Sequence, residues 1–451
     1  MRVFDIVIVG AATTGAYFGK LMAENGFSTL VIDSIAEKDI GTRLSCIHLD
    51  RKYFEASGIP APMLGDNDYL TSYEYNMNES AYGHYPIKTN YPYIVMRLDK
   101  FSKRLRDWAR KVDCNFDFET KFLEFIFDAR KKICGIRVEK EGVVEEIYCK
   151  LVVDCTGIAG YARCKLPDWY GIENTPLNPE DILFANVEYF RLKRPERDKL
   201  SYSTIYPYYK VWFGPIGEDD TAQFGACAFG SYDNAIASGE EFKKTIYLPP
   251  HDVDKIEQGM MPYRYSLYSF VADGFLCLGD SAAISKPYSG EGITATWNLC
   301  KIAANGVVHA MKDGKYPTRE ALWPINTKYS RGQGADFAEL LALTKGALHC
   351  SKEENEFEFR HGFGYEENIL SQLSINFANK LTPIQKITQF WKIVFILYFD
   401  KLSHETIKNS YKGYLIGKKA KKLYKKYPKN PKHFDKWCTK ANKLWAKYRT
   451  I

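Results

Sequence analysis

The chain has 451 residues, 45% hydrophobic and 26% charged, which excludes a disordered segment and leaves room for about two or three domains around a substantial core. Its net charge of +7 is uneven: residues 401–451 carry 15 Lys and one Arg against Glu405 and Asp435, a net +14, so the rest sums to −7. No run of about 18 apolar residues exists to span a bilayer, and the 11 cysteines lack the CxxC or His-rich spacing of a disulfide framework or zinc site.

Residues 3–9 (VFDIVIV) read as a buried parallel strand, reached with no basic-then-apolar leader, so a cytosolic protein is expected. Gly10 to Gly15 form a turn, residues 14–25 a helix ended by Gly26, and residues 28–33 a second strand closing on Asp33. This βαβ unit carries Gly-x-Gly-x-x-Gly with Ala12 in place of the middle glycine. Gly10 permits the tight turn and Gly15 the close packing of helix on strand. Ala12 and Thr14 flank the approach of a pyrophosphate to the helix N-terminus, and Asp33 can accept from a ribose. A glycine-rich turn of some other α/β fold is the bland alternative.

Residues 51–95 read as irregular, 97–112 as a helix, and 115–157 as alternating strands. Residues 183–230 are strand-like and predict a second sheet inserted between two parts of one nucleotide domain. A buried strand at 275–279 leads to a glycine-punctuated turn and a helix at about 292–312. From 316 onward the chain reads as helical and increasingly basic, with "KYPKNPKHF" (426–434) interrupting the final helices. The basic tail fits an anionic partner or, equally, a solvated helical face. Aromatics at 15% predict a large apolar cavity or surface, or simply an aromatic core.

The turn "GDSAAISKPYSGEGI" (279–293) carries the decisive signal. An acid at a strand end can hold a sugar-alcohol hydroxyl, and a Gly-x-Gly turn at a helix N-terminus offers bare N–H groups to an electron-rich ring edge. The segment resembles the Gly-Asp motif of FAD-dependent oxidoreductases of the aromatic-hydroxylase and geranylgeranyl-reductase type. In that family the Asp, here Asp280 after Gly279, binds the ribityl chain. The proline and glycines, here Pro287, Gly290 and Gly292 with Ile293, line the isoalloxazine. "YIVMRLDKFSKRL" (93–105) resembles the family's Arg-before-helix segment and makes Arg97 an expected flavin contact. "LVVDCTG" (151–157) resembles its Asp-Ala-Thr-Gly strand and adds Asp154 and Gly157. "MPYRYSLYSF" (261–270) places Pro262 over the substrate cavity.

Two further matches point to the prenyl-reductase branch. "IGTRLSCIHLD" (40–50) places Cys46 at the spacing of that branch's flavin-facing cysteine, with His48 beside it, although the usual following glycine is missing. "PYYKVWFGP" (207–215) resembles the branch's Pro-x-x-Tyr-x-Trp-x-Phe-Pro strand. It keeps Pro207, Trp212 and Pro215, adds Tyr209, and departs at Lys210 and Gly214. Cys46 could otherwise be a small buried hydrophobe and Trp212 plain core.

The resemblance implies an α/β fold: an FAD-binding Rossmann-like domain of the aromatic-hydroxylase type, an inserted antiparallel-sheet substrate domain, and a helical basic C-terminal region. The expected boundaries are 1–180 with 255–315 for the FAD domain, 181–254 with part of 50–95 for the sheet domain, and 316–451 for the helices. Cys46 and Trp212 are the expected catalytic residues, and His48, Pro207, Tyr209, Pro215 and Pro262 the expected cavity wall. The implied activity is saturation of geranylgeranyl C=C bonds by hydride transfer from reduced FAD, with a prenylated lipid as substrate. With no second dinucleotide fingerprint, electrons are expected from an external ferredoxin, deazaflavin or NAD(P)H. A cytoplasmic enzyme bound peripherally to an anionic membrane is expected, with no metal and no nucleic acid. An FAD-dependent aromatic monooxygenase and a non-catalytic prenyl-binding protein on the same fold remain alternatives. A halogenase fits poorly, because Lys210 and Gly214 replace two residues of its Trp-x-Trp-x-Ile-Pro strand.

Overall fold

The computed structural model describes residues 2–193, 203–205, 210–217, 220–362, 382–384, 387–388, 391–392 and 402–451. Its centre is a six-stranded sheet in the order Val271–Ala272, Phe275–Cys277, Leu151–Asp154, Ile6–Val9, Thr29–Ile32, Asn115–Asp117. All neighbours are parallel except the first pair. Ile6–Val9, Thr29–Ile32 and Leu151–Asp154 are buried at every position, as strands covered on both faces must be. Helix Thr13–Glu24 is the first crossover, and helices Leu98–Arg110 and Ile293–Ala310 pack against it. A small four-stranded sheet, Arg2–Val3 with Thr120–Phe127, Ile133–Lys140 and Val143–Tyr148, lies beside this core.

The second large sheet has eight strands: Val253–Pro262, Ile182–Arg191, Thr221–Phe229, Lys210–Pro215, Ser203–Ile205, Tyr69–Asn78, Ile87–Arg97 and Cys46–Asp50. Its two edges meet. The Ser45 amide donates to Glu257 Oε2 at 2.6 Å and the Ser45 hydroxyl to Oε1 at 2.7 Å. The sheet therefore curls around a hollow. Two expectations change here. The stretch 51–95 is not irregular: it holds a short helix, Lys52–Ser57, and the hairpin Tyr69–Asn78/Ile87–Arg97. Register shifts at Tyr69/Thr71 and Tyr73/Tyr75 break the period of two that would have marked a strand. The large sheet also crosses both expected boundaries, since Val253–Pro262 and Cys46–Asp50 are its edges.

Beyond 316 the described residues form helices Arg319–Arg331, Gln333–Ala347, Lys352–His361, His404–Tyr424 and Phe434–Tyr448. The second and fourth cross with backbones nearly touching: a side-chain carbon at Gly413 would stand 2.6 Å from the Ala342 carbonyl. Lys421 pairs with Asp336 at 2.8 Å, and Lys418 with Glu339 at 2.8 Å. No helix among the described residues is long and apolar enough to cross a membrane.

Candidate functional site

The nucleotide end is built by backbone. Gly10 and Gly15 face each other so closely that a side-chain carbon on Gly15 would strike the Gly10 carbonyl. Helix Thr13–Glu24 starts at Ala12, which is exposed and gives no side-chain cap to the first-turn amides. Those amides sit at the positive end of a helix, the donor set a pyrophosphate requires. Asp33, half-buried, holds the turn in shape: its Oδ2 accepts from the Ala11 amide at 2.8 Å.

The Gly-Asp turn lies against this first motif. A carbon on Gly279 would be 2.9 Å from Thr14 Oγ1, and one on Gly292 would be 2.9 Å from Asp280 Oδ1. Ser281 leaves a buried hydroxyl without a hydrogen-bond partner among the described residues. Desolvation, with the Glu291 charge second, pushes the Asp280 carboxyl up to about 7. The 286–291 turn is pinned by the buried Lys286 ammonium on Glu291 at 2.8 Å and by Gly290 N–H on the Lys286 carbonyl at 2.8 Å. Helix-end amides, an unpartnered buried hydroxyl and a carboxylate in one cradle lacking side-chain carbons fit a dinucleotide with a polyol chain. Asp280→Ala is expected to weaken FAD binding by about tenfold or more, the worth of a hydrogen bond to a charged group, measured by flavin fluorescence titration of the apoprotein.

Asp154 is a correction. It is fully buried, and its oxygens accept from Thr156 N–H at 2.8 Å, Thr156 Oγ1 at 2.7 Å and Arg163 N–H at 2.6 Å. The carboxylate is consumed by its own loop and shapes the turn at Gly157, which packs against Gly279–Ala282. Arg97 is exposed and braces the 67–69 turn through the carbonyls of Asn67 and Tyr69, at 3.2 and 3.1 Å. Pro287 is buried beside Tyr329 and Phe337.

Inside the curled sheet is a cavity of about 260 Å³. Cys46, His48, Trp212, Gly290, Gly292 and Ile293 all line it, so both expected catalytic residues meet the far end of the Gly-Asp turn. The Trp212 ring lies against Gly225 on the neighbouring strand, where any side-chain carbon would collide with the indole. Pro215 and Pro262 are corrections: neither lines the cavity. Pro215 offers its carbonyl to the Tyr73 hydroxyl at 2.7 Å, and Pro262 its carbonyl to Ser285, so both brace the wall from behind. Pro207 and Tyr209 lie outside the described residues.

The cavity's thiol and imidazole are both held neutral by burial. Burial pushes the Cys46 thiol up to about 12. Burial, aided by the Lys210 charge, drives His48 down to about 3. Cys46 donates to Gln223 Oε1 at 3.4 Å, while Gln223 Nε2 meets His48 Nε2 at 3.0 Å. An amide nitrogen only donates, so His48 keeps its proton on Nδ1. Burial also lowers Lys210, whose ammonium lies 5.3 Å from the Trp212 ring centre and 3.5 Å from the Ser289 carbonyl. Sequence reasoning missed Gln223, Tyr189, Glu257 and Lys286. The first three lie on adjacent paired strands and carry no motif, and the curl of the sheet brings Ser45 and Cys46 to them.

A family model described as FAD binding domain matches residues 3–300. The chain belongs to this FAD-binding family. Over 99% of the chain and 98% of the relative, it is 22% identical to a digeranylgeranylglycerophospholipid reductase of Sulfolobus acidocaldarius. A second such reductase, from Methanococcoides burtonii, is 24% identical over 69% of the chain and 76% of its own length. Among solved structures, a geranylgeranyl bacteriochlorophyll reductase-like protein from Thermoplasma acidophilum gives a TM-score of 0.70 at 16% identity, covering 86% of this chain and 96% of its own. A flavin-dependent brominase gives 0.63 at 16% identity, covering 89% and 100%. The protein is thus an FAD-dependent oxidoreductase on the α/β fold, related to the digeranylgeranylglycerophospholipid reductases.

Proposed function

We propose that the protein saturates C=C bonds of geranylgeranyl chains carried by a glycerophospholipid. The observation that carries this reading is a neutral, buried thiol, Cys46, facing an aromatic hollow closed at one end by the turn at 288–293. Ala12, Thr14 and the turn Gly10–Gly15 would hold the FAD pyrophosphate, Asp33 the adenosine ribose, Asp280 the ribityl chain, and Pro287 to Ile293 the ring. When bound and reduced, FAD supplies the hydride for one alkene carbon. The chain's own residues do the rest.

An isolated alkene has no carbonyl to polarise it, so the proton must come from a positioned acid in a site that excludes water. Cys46 Sγ–H is that acid. Gln223 fixes its direction, and Tyr91, Tyr93 and Trp212 supply apolar walls for a prenyl chain. His48, neutral with its proton on Nδ1, lines the hollow without competing as a cation. The reductant is an external carrier; ferredoxin, deazaflavin and NAD(P)H are distinguished by supplying each in turn. The experiment is mass spectrometry of unsaturated geranylgeranyl glycerophospholipid after incubation with dithionite-reduced enzyme. A mass gain of two hydrogens per bond is expected. Unchanged lipid with flavin present, coupled to oxygen and NAD(P)H consumption on an aromatic substrate, would replace this reading with a hydroxylase.

The lipid substrate would be met at an anionic membrane surface by helix His404–Tyr424. Its outer face exposes Tyr411, Tyr414 and Leu415, at 62%, 48% and 37%, among exposed Lys408, Lys419 and Lys422. Basic residues near such a surface contribute about 1 kcal/mol each. Replacing Lys408, Lys419 and Lys422 together by Glu is expected to lower co-sedimentation with phosphatidylglycerol vesicles by on the order of 100-fold. Turnover of detergent-dispersed lipid should not change.

A further inference from the structure

The Cys46 thiol has a second set of partners, on the side away from Gln223. Its Sγ lies 3.9 Å from the Tyr189 hydroxyl. The Glu257 charge acts on Tyr189, raising its hydroxyl further after burial has done so. The Glu257 carboxylate is buried, holds both Ser45 donors, and is in contact with the Lys255 ammonium, half of whose side chain is open to solvent at 52%. Lys255 reaches Ser45 Oγ as well, at 2.8 Å. Lys255, Glu257 and Tyr189 therefore stand in order between water and the Cys46 thiol.

The cavities give an independent observation. A second cavity of about 490 Å³ lies on the outer side of this line. It shares Leu44, Cys46 and Tyr189 with the inner hollow, and its other lining residues include Leu70 and Ile216 beside Arg97, Asp99, Asp254 and Lys255. Cys46 and Tyr189 thus stand between the inner hollow and an outer cavity that Lys255 lines. Tyr189 is itself buried, at 5% exposure, among Tyr93, Val95, Val187 and Ile216.

We propose that Tyr189 and Glu257 return a proton from the outer cavity to Cys46 after each reduction. This rests on Cys46 being the acid proposed above. Once the thiol has protonated the substrate carbon, a thiolate remains at Cys46. Tyr189 passes its hydroxyl proton to that sulfur, and the tyrosine oxygen takes one through the Glu257 carboxylate from the Lys255 ammonium. The net change is thiolate plus ammonium to thiol plus amine, and bulk water then reprotonates the exposed lysine. No electron moves. Burial raises the proton affinity of the sulfur, which favours its reprotonation. The relay also explains why a mostly apolar barrel wall buries a carboxylate at all.

The relay separates the first reduction from those that follow. The first uses the proton already on Cys46; every later one needs the line. Full-length holoenzyme carrying one equivalent of reduced flavin is mixed with geranylgeranyl glycerophospholipid in detergent, and flavin reoxidation is followed by stopped flow. Steady-state lipid reduction is measured with excess dithionite. In Tyr189→Phe the first turnover is expected to stay within about twofold of the parent. Its steady state is expected to fall about tenfold or more, at the low end of what a positioned proton donor contributes, and to gain a solvent deuterium isotope effect. Lys255→Met, at the solvent end, should show the same split more weakly, with thermal melting beside it to follow the cost of leaving Glu257 unpaired. Equal slowing of first and later turnovers in Tyr189→Phe, or slowing of neither, overturns the relay. Failure of the underlying reading looks different: Cys46→Ala would then complete a first turnover at full rate.

Discussion

Gly15→Val is expected to yield a protein without yellow flavin. The new side-chain carbon would collide with the Gly10 carbonyl oxygen and lie 3.4 Å from Ile8 Cγ2, inside the fully buried central sheet. Neither neighbour can retreat: one is backbone of the turn itself, the other a core side chain. Overpacking a core costs about 1–3 kcal/mol where side chains can yield, and a backbone collision costs more. The turn must then open, and the first-turn amides of helix Thr13–Glu24 no longer converge. The check is flavin absorbance per protein after purification, with thermal melting beside it. Ala12→Gly is the control. Ala12 is exposed, so removing its methyl relieves nothing in the fold and should leave FAD affinity unchanged or tighter, by no more than about tenfold. Stoichiometric flavin in Gly15→Val would mean that the cradle is not where the cofactor sits.

Cys46→Ala is expected to keep its flavin and lose alkene reduction by about 10²–10⁴-fold, the range for a positioned general acid. The thiol lines the hollow rather than supporting it, and a methyl group fits the same space, so the fold should survive. The flavin spectrum and dithionite reduction should match the parent, which separates loss of the proton from loss of the cofactor. Cys46→Ser tests the acid directly: a hydroxyl restores a donor of similar size whose proton is harder to release, so an intermediate rate is expected. Full activity in both variants would make Cys46 a packing residue.

The nucleotide half of this fold was legible because its signals are local. Gly10, Gly15 and Asp33 lie within one βαβ unit, and Gly279 to Ile293 within one turn. The helix expected at about 292–312 is observed at Ile293–Ala310. The substrate half was less legible because its information is not local. Motif spacing pointed to Cys46 and Trp212, but the wall facing them depends on contacts far apart in sequence, such as the Ser45 hydroxyl on Glu257. The bulges in Tyr69–Asn78 erased the alternation that would have revealed that hairpin. Asp154 shows the opposite failure. Its place at the strand end is legible, but a residue string cannot show that both oxygens are taken by Thr156 and Arg163.

The near-contact of backbones between helices Gln333–Ala347 and His404–Tyr424 bears on orientation. Gly346, Gly413 and Gly417 leave no side-chain cushion at the crossing, so the lysine-bearing helix cannot roll or slide against the body without a backbone collision. On the membrane docking proposed above, a surface seating Tyr411 and Leu415 would be held at a fixed angle to helix Gln333–Ala347. Three glycines remote from every reacting atom would then set the tilt at which the protein rests on a bilayer.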